Sequence, residues 1–254
     1  MSGTADDEVI VETRPTGARF YARLTSTIER SLIEHRNWEF RVQLRMLNVM
    51  NRPGTFVDCG ANIGVHSCAI ARHLAGNGRV VAIEPVPQLA DRLERNRDLN
   101  HITNLDLFRQ AVGSTTGTRT IYVPAATDRN QGKSSFYRHE PGLEEKVAVD
   151  VVTLDDLLAR YDEIRAIKLD VEGAELEVLH GATHTLKKWR PHIFLEYNAE
   201  AWAAAGATLA DLQHLLGRYR YDLVMPSDRD DQIYQIEAVP PDRSSKRFHV
   251  PRRH

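Results

Sequence analysis

The polar and apolar positions of the chain follow two alternating patterns. Short apolar runs that end in a polar residue occur at residues 55–58, 79–84, 166–170 and 191–196, and they are typical of strands buried on both faces of a sheet. The segments between them place apolar residues three or four positions apart, which indicates amphipathic helices. Strands that alternate with helices predict an α/β protein with one mostly parallel sheet. Such a sheet binds its ligand at the carboxyl ends of its strands.

The remaining elements are less regular. Residues 1–16 are polar, and we expect them to be mobile. Residues 18–24 and 27–33 fit either a hairpin or a short packed helix, and the pattern leaves both open. Further helices are predicted at residues 42–50, 62–74, 87–100, 153–158 and 208–217, and further strands at 105–112, 118–123, 147–152, 221–225 and 232–238. The helix at 42–50 should lie beside the ligand site.

The first strand-to-helix turn has the sequence D-C-G-A-N-I-G. Its small residues Gly60, Ala61 and Gly64 allow backbone to approach a ligand closely. A dinucleotide-binding turn would read G-x-G-x-x-G, but here Asp58 precedes the first glycine and Asn62 replaces the middle one. This order suits an adenosyl ligand without a pyrophosphate, whose methionine ammonium Asp58 can attract. A tight turn in any α/β protein is the alternative.

The second and third strands also end in polar residues. Glu84 and Pro85 end the second strand 20 residues after Gly64, and an acid there can accept hydrogen bonds from both ribose hydroxyls of an adenosyl group. Gln110 and Ala111 end the third strand, where an amide and backbone could pair with the adenine edge. A solvated strand-end side chain remains the alternative at both places.

A second group of acids follows the strand at 166–170. Asp170 and Glu172 straddle the strand tip, and Glu175 and Glu177 begin a helix, where acids are stabilised by the positive end of the helix dipole. That role explains Glu175 and Glu177 but not the other two. Alternatively, the Glu172 side chain could accept hydrogen bonds from the backbone N–H groups of the following helix, as a capping acid does.

The strand predicted at 191–198 brings two further polar residues to this edge. Glu196 and Asn198 should adjoin Asp170, and we assign them to substrate binding. Asp170, Glu172 and Glu196 could instead gather a divalent cation, but their spacing is not diagnostic, and we assign no metal.

Residues 113–148 form a polar insertion with glycine and two extended segments. Long loops without their own structure are usually functional, so we predict a substrate lid at residues 127–139, with a disordered insertion as the alternative. Ser134 and Ser135 in this insertion are assigned to acceptor binding. The candidates for a general base are Glu172, Asp170, the lid residue His139, and His66 in the first helix.

Composition limits the function classes. The chain has 254 residues, 42% of them apolar, a net charge of −2 and a pI near 6.6, which fits one α/β core and gives no electrostatic footprint for nucleic acid or anionic membrane. Cys59 and Cys68 lack disulfide or metal-ligand spacing and should be reduced thiols. Without a signal peptide or membrane-length apolar run, we expect a cytoplasmic protein. We divide it into an extension and cap helix at 1–52, a core domain at 53–240 and a basic tail at 241–254.

The motifs together resemble one family. V-D-C-G-A-N-I-G, A-I-E-P, the Asn96/Asn100 pair, Q-G-K-S-S-F, V-V-T-L-D-D-L, I-K-L-D-V-E-G-A-E-L-E-V-L-H-G-A and I-F-L-E-Y-N are similar to the FkbM family of methyltransferases. The resemblance covers roughly residues 38–198. It implies a Rossmann-like class I methyltransferase fold, with a mostly parallel seven-stranded sheet, helices on both faces and S-adenosylmethionine as cofactor.

The resemblance also implies roles for residues. Cofactor roles carry over to Asp58, Gly60, Asn62, Gly64, Glu84 and Asp170, and Glu39 should border the same pocket. Family members typically methylate hydroxyls on natural products and sugars, which implies a small hydroxyl-bearing acceptor. From the charge balance we expect neither nucleic acid nor membrane as partner, and homo-oligomerisation stays open. The competing hypothesis is an adenosyl- or dinucleotide-binding protein without methyl transfer.

Overall fold

The computed structural model describes residues 8–24, 26–124, 133–137, 143–226 and 233–241, with backbone alone at 143 and 144. The strands are β1 (Val9–Glu12), β2 (Arg19–Ala22), β3 (Thr55–Cys59), β4 (Arg79–Ile83), β5 (Leu105–Phe108), β6 (Ala111–Val112), β7 (Gly117–Pro124), β8 (Leu143–Val152), β9 (Ile164–Leu169), β10 (His192–Asn198), β11 (Asp222–Val224) and β12 (Ile233–Val239). The helices are α1 (Thr27–His35), α2 (Phe40–Val49), α3 (Val65–Leu74), α4 (Pro87–Leu99), α5 (Leu154–Leu157), α6 (Glu175–His180), α7 (Thr183–Lys188), α8 (Ala199–Ala204) and α9 (Leu209–Gly217).

A seven-stranded sheet forms the centre of the fold, in the order β11-β12-β10-β9-β3-β4-β5. The five strands from β10 to β5 are parallel, and β12 pairs antiparallel with both β10 and β11. The predicted mostly parallel seven-stranded sheet is therefore confirmed. The carboxyl ends of β3, β4, β9 and β10 meet at one edge of the sheet.

Helices cover both faces of the sheet, because its central strands carry apolar side chains at nearly every position. Phe56 and Val80 pack on one face against α1, α2, α3 and α4, whereas their neighbours Val57 and Val81 pack on the other face against α5, α6, α7, α8 and α9. Each face contributes one hydrophobic core. None of the helices in the described ranges is long and apolar enough to cross a bilayer.

The predicted strand at residues 105–112 is wrong as a single element. Only β5 joins the main sheet; β6 turns away and pairs with the end of β8 in a separate three-stranded sheet with β7. The apolar pattern continues across the break, since Ala111 and Val112 are buried in the second sheet. The two extended segments predicted inside the insertion are confirmed as parts of β7 and β8.

The expectation for the N-terminal segment is also wrong. Within the described part of residues 1–16, β1 pairs antiparallel with β2, and the segment after it forms α1, which is capped by Ser26. Two buried amides hold β2 in place: Asn100 Oδ1 accepts from the Arg19 N–H at 2.7 Å, and Asn96 Oδ1 accepts from the Tyr21 N–H at 3.0 Å. The hairpin therefore depends on α4, which the local pattern does not reveal.

Candidate active site

The turn after β3 is built for close approach of backbone to backbone. Gly60 has a φ of +77°, and a Cβ there would lie 1.8 Å from the carbonyl oxygen of Asp170. Asn62 and Gly64 also have positive φ, at 51° and 86°, so the helix begins at Val65 and not near Asn62 as predicted. The glycine at position 60 brings the tips of β3 and β9 together.

Glu84 lies at the end of β4 and is 4% exposed. Its carboxylate accepts hydrogen bonds from the Asn62 N–H at 2.8 Å and the Val86 N–H at 3.0 Å. Burial raises the pKa of Glu84 to about 7, and the nearby charges of Asp58 and Asp170 act in the same direction, against the two backbone hydrogen bonds. Each carboxylate oxygen keeps a lone pair that a ligand hydroxyl could use.

The first cavity opens above this carboxylate and has a volume of about 570 Å³. It combines apolar walls with a few polar groups, as sites for small ligands generally do. Its lining is Gly60, Asn62, Ile83, Glu84, Pro85, Leu89, Gln110, Ala111, Val112, Ile121, Ser134, Phe136, Asp170 and Val171. The predicted ribose and adenine residues thus lie in one cavity, whose character suits a nucleoside.

The second cavity, of about 1040 Å³, shares Gly60, Asn62 and Asp170 with the first. Its remaining lining comes from seven parts of the chain and combines acids, an amide and basic groups with apolar residues. These residues are Thr27, Ile28, Trp38, Glu39, Ala61, Val65, His66, Lys133, Lys168, Glu172, Glu196, Asn198 and Ile233. The shared residues mark the boundary of the two spaces. A ligand seated over this turn would therefore touch both.

A charge network lies beneath the second cavity. The Lys168 ammonium is 2.9 Å from Asp170 Oδ2 and 3.8 Å from Asp58 Oδ1, and Glu39 Oε2 is 2.9 Å from Nε2 of His66. Burial alone would lower the pKa of Lys168, but the three carboxylates raise it above its usual value. For Glu39 the effects are opposite: burial would raise its pKa, but His66 and Lys168 lower it below its usual value.

Sequence reasoning missed Lys168. The available signal was a lysine between Ile167 and Leu169 in a strand that is otherwise almost wholly apolar. A lysine in that position needs acidic partners, since a buried ammonium without them is strongly destabilising.

Three carboxylates meet where β9 and β10 end. Oxygen atoms of Asp170, Glu172 and Glu196 lie within 4.8 Å of one another. Each also has a donor from the protein: Lys168 for Asp170, the Asn198 amide at 3.3 Å for Glu172, and the Gln235 amide at 3.2 Å for Glu196. Burial and the two neighbouring acids raise the pKa of Glu196. A divalent cation at these oxygens stays an alternative prediction, and we assign none.

The family follows from a direct match. The Methyltransferase FkbM domain model matches residues 58–223. This chain belongs to the FkbM methyltransferase family. Hexuronic acid methyltransferase AglP of Haloferax volcanii is 28% identical over 188 residues, 73% of this chain and 73% of that protein. Methyltransferase sdnD of Sordaria araneosa is 30% identical over 165 residues, 53% of this chain and 63% of that protein.

The fold agrees with a solved structure. Methyltransferase FkbM from Methylobacillus flagellatus superposes with a TM-score of 0.51 and 23% identity, over 73% of this chain and 43% of that one, and supports the fold alone. The chain spans less than two thirds of both that protein and sdnD. The predicted class I fold and the S-adenosylmethionine-dependent methyltransferase class are confirmed.

The residues present fit S-adenosylmethionine. The Gly60 backbone borders the first cavity without a side chain, and the Glu84 carboxylate in the same lining offers acceptors for ribose hydroxyls. At the other end, Asp170 lines both cavities; Asp58 is 1% exposed, lines neither cavity, and its Oδ1 receives no hydrogen bond from the residues that the structure describes. This arrangement can recognise the two polar ends of the cofactor. The individual roles of these residues stay predictions.

In this FkbM domain Glu175, and not Glu172, bonds to the backbone of the turn before α6, and the N-cap residue Ala174 has no side-chain cap hydrogen bond. Oxygens of Glu175 accept from the N–H groups of Val171 and Gly173, each at 3.1 Å, and burial raises the pKa of Glu175 to about 7. Glu172 has a φ of 50°, and its side chain lines the second cavity. The capping alternative for Glu172 is therefore wrong, whereas the helix-start role of Glu175 is confirmed.

The described part of the predicted lid is residues 133–137. Ser135 is fully buried, donates from Oγ to the Glu172 carbonyl at 2.5 Å and pairs through its backbone with Tyr122. We therefore correct its predicted substrate contact: Ser135 fastens this segment to the Glu172 loop. Ser134 lines the first cavity rather than the acceptor side. His139 and most of the predicted lid lie outside the described residues.

Replacing Glu84 by Gln should weaken binding of S-adenosylhomocysteine by roughly 1–3 kcal/mol, because a charged acceptor for the ribose hydroxyls is lost. Since the Glu84 pKa lies at about 7, wild-type affinity should also rise between about pH 6 and about pH 8, as the carboxylate ionises, and this rise should vanish in the variant. Titration calorimetry measures both. Glu94→Gln on the outer face of α4 is the control, and an unchanged dissociation constant would remove Glu84 from the site.

The buried acids also predict how stability depends on pH. The folded protein holds protons on Glu84, Glu175 and Glu196 at pH values where the unfolded chain has released them. The ligand-free protein should therefore lose thermal stability as the pH rises from about 5 to about 7, and Glu196 extends this loss to higher pH. Glu237, whose pKa is lowered to about 2, acts only in more acidic solution. Scanning calorimetry should show a smaller decrease for Glu84→Gln, and a stability that rises over this range would contradict the assignment.

Proposed function

We propose that this FkbM methyltransferase methylates a hydroxyl oxygen of a small sugar or natural-product acceptor held in the second cavity. The observation that carries the proposal is the second cavity itself: it adjoins the nucleoside-like cavity through Gly60, Asn62 and Asp170, and its far wall presents Glu172, Glu196 and other hydrogen-bonding groups suited to hydroxyls. The name of the Haloferax volcanii relative, a hexuronic acid methyltransferase, supports a sugar-type acceptor.

The cofactor's adenosine would lie in the first cavity, against Glu84, Pro85, Gln110 and Ala111. Its methionine end would lie towards Asp170, with Gly60, Ala61 and Asn62 as the turn beneath it and Glu39 at the border, whereas Asp58 and Gly64 line neither cavity. S-adenosylmethionine supplies an electrophilic methyl group. The protein's task is then to hold an acceptor oxygen in line with that group and to exclude water.

Positioning should contribute more than proton removal. Near-attack alignment can supply on the order of 7–11 kcal/mol, whereas one general base gives about 10²–10⁴ in rate, or roughly 3–5 kcal/mol. We assign the base role to Glu172, whose carboxylate lines the cavity beyond the strand tip. His66, whose Nε2 bonds to Glu39 and whose Nδ1 is buried without a partner in the described residues, is the second candidate.

The charge of the second cavity also favours some classes of acceptor over others. Glu39, Asp170 and Glu172 outnumber the two lysines of the wall, Lys133 and Lys168, and the whole chain carries a net charge of −2. A nucleic-acid backbone would be repelled from such a surface. We therefore propose a small hydroxyl-bearing acceptor, and not a nucleic acid, as the partner of this site.

Transfer of a ¹³C-labelled methyl group to a panel of polyhydroxylated sugars and phenolic or alcoholic natural products tests this proposal. The carbon chemical shift of the product distinguishes O-methyl from N-methyl and C-methyl groups. We expect an O-methyl signal with at least one acceptor. A label found only on nitrogen would contradict the proposal, and binding of a nicotinamide dinucleotide in place of S-adenosylhomocysteine would favour the competing hypothesis.

A further inference from the structure

Lys168 is a buried lysine for which the hydroxyl chemistry proposed above has no use. Its side chain is 3% exposed, lies on β9 between two fully buried residues and pairs in register with Asp58 of the neighbouring strand. The neighbouring carboxylates raise the pKa of Lys168 above its usual value. The side chain therefore keeps its proton and cannot accept one from the acceptor. It must act while carrying a positive charge.

The partners of the ammonium come from three elements. Asp58 ends β3, Asp170 follows β9, and Glu39 precedes α2, so the network joins the sheet edge to the N-terminal cap helix. Three carboxylates face one ammonium, which leaves the surroundings negative. Such a place favours a further cation and disfavours another anion.

Asp58 is held by this network and by little else. Ser67 donates to its Oδ2 at 2.6 Å, while Oδ1 faces Lys168 at 3.8 Å, a distance too long for a hydrogen bond. Oδ1 is buried and receives no hydrogen bond from any described residue. Asp58 lines neither cavity, so a ligand N–H would approach this oxygen beside Asp170, which lines both.

We propose that Lys168 is a positioning residue for the methionine end of S-adenosylmethionine: it holds the carboxylates of Asp58 and Asp170 in place so that they receive the cofactor's ammonium. The inference rests on the proposed roles of these two acids. Without Lys168, the buried carboxylate of Asp58 and the half-buried carboxylate of Asp170 would lose their common counter-ion and would repel each other. The adenosine half of the cofactor, which lies against Glu84 and the first cavity, would be unaffected.

Two ligands separate these effects. S-adenosylhomocysteine carries the amino-acid end, and 5′-methylthioadenosine has the same adenosine and sulfur without it. Lys168→Met should raise the dissociation constant of S-adenosylhomocysteine roughly 10- to 100-fold and leave that of 5′-methylthioadenosine unchanged. Lys168→Arg, which keeps the charge, should restore part of the preference. Lys187→Met, exposed in the last turn of α7, is the matched control.

The double variant Lys168→Met/Asp58→Asn distinguishes a loss of affinity from a loss of folding. Removing both charges should recover thermal stability lost in Lys168→Met, but not affinity for S-adenosylhomocysteine. The proposal is overturned if Lys168→Met weakens both ligands equally, if it weakens neither, or if the double variant binds S-adenosylhomocysteine like the wild type. Equal wild-type affinity for the two ligands would refute the roles of Asp58 and Asp170, whereas a failure to methylate hydroxyls would leave these dissociation constants as expected.

Discussion

Replacing Glu172 by Gln should lower kcat by about 10²–10⁴ while affinity for S-adenosylhomocysteine stays the same. Gln keeps the size and the hydrogen bond with the Asn198 amide, but it cannot take a proton from an acceptor hydroxyl. Because the backbone N–H groups of this loop bond to Glu175, the change at Glu172 should not unravel the start of α6. The acidic limb of the pH profile should be lost with the carboxylate.

Two control variants accompany this measurement. Glu200→Gln, in the first turn of α8, should leave turnover unchanged, because this glutamate lines neither cavity. Glu175→Gln should do the reverse of Glu172→Gln, with lower thermal stability and an unchanged pH profile. If Glu172→Gln loses stability and cofactor affinity together and keeps its pH profile, the base assignment is wrong. Rate and affinity must therefore be measured on the same preparations.

Replacing Gly60 by Ala should have the largest structural effect of any single methyl group in the site. The new Cβ would lie 1.8 Å from the Asp170 carbonyl oxygen, so β3 and β9 would have to move apart. We expect a loss of stability above about 3 kcal/mol, together with loss of S-adenosylhomocysteine binding, since overpacking and backbone strain act together. Denaturant unfolding and calorimetry measure the two effects.

Two other glycines separate strain from overlap. Gly76 has a φ of +83° and Gly117 has no positive φ, and an added Cβ would meet nothing within 4 Å at either position. Gly76→Ala should therefore show only the cost of the left-handed backbone, and Gly117→Ala should show almost none. If Gly60→Ala is no worse than Gly76→Ala, the contact between the Gly60 turn and Asp170 does not organise the site.

The parts of the fold that the sequence predicted are those with local causes. The run R-V-V-A-I corresponds to β4 without change, because continuous apolar residues bounded by polar ones can only be buried between two layers. Glu84 and Gly60 could be placed at the sheet edge for the same reason, since the chain must turn where the apolar run ends. Their spacing along the sequence then determined the type of ligand.

The parts that the sequence did not predict depend on distant partners. The β1–β2 hairpin is held by Asn96 and Asn100 of α4, and Ser135 is held by the Glu172 carbonyl. The exchange of roles between Glu172 and Glu175 has the same origin: both follow the strand tip, and only the three-dimensional course of the turn decides which carboxylate meets the backbone N–H groups. No spacing rule distinguishes them.

A crystal structure with bound S-adenosylhomocysteine tests the central claim most directly, namely that one continuous site holds the nucleoside in the first cavity and opens the sulfur towards the second. We expect the ribose hydroxyls to donate to Glu84 and the ligand's ammonium to lie against Asp58 and Asp170. The sulfur should face the cavity that Glu172 and Glu196 line. A ligand whose adenosine occupies the second cavity, or whose ribose does not contact Glu84, would contradict the account.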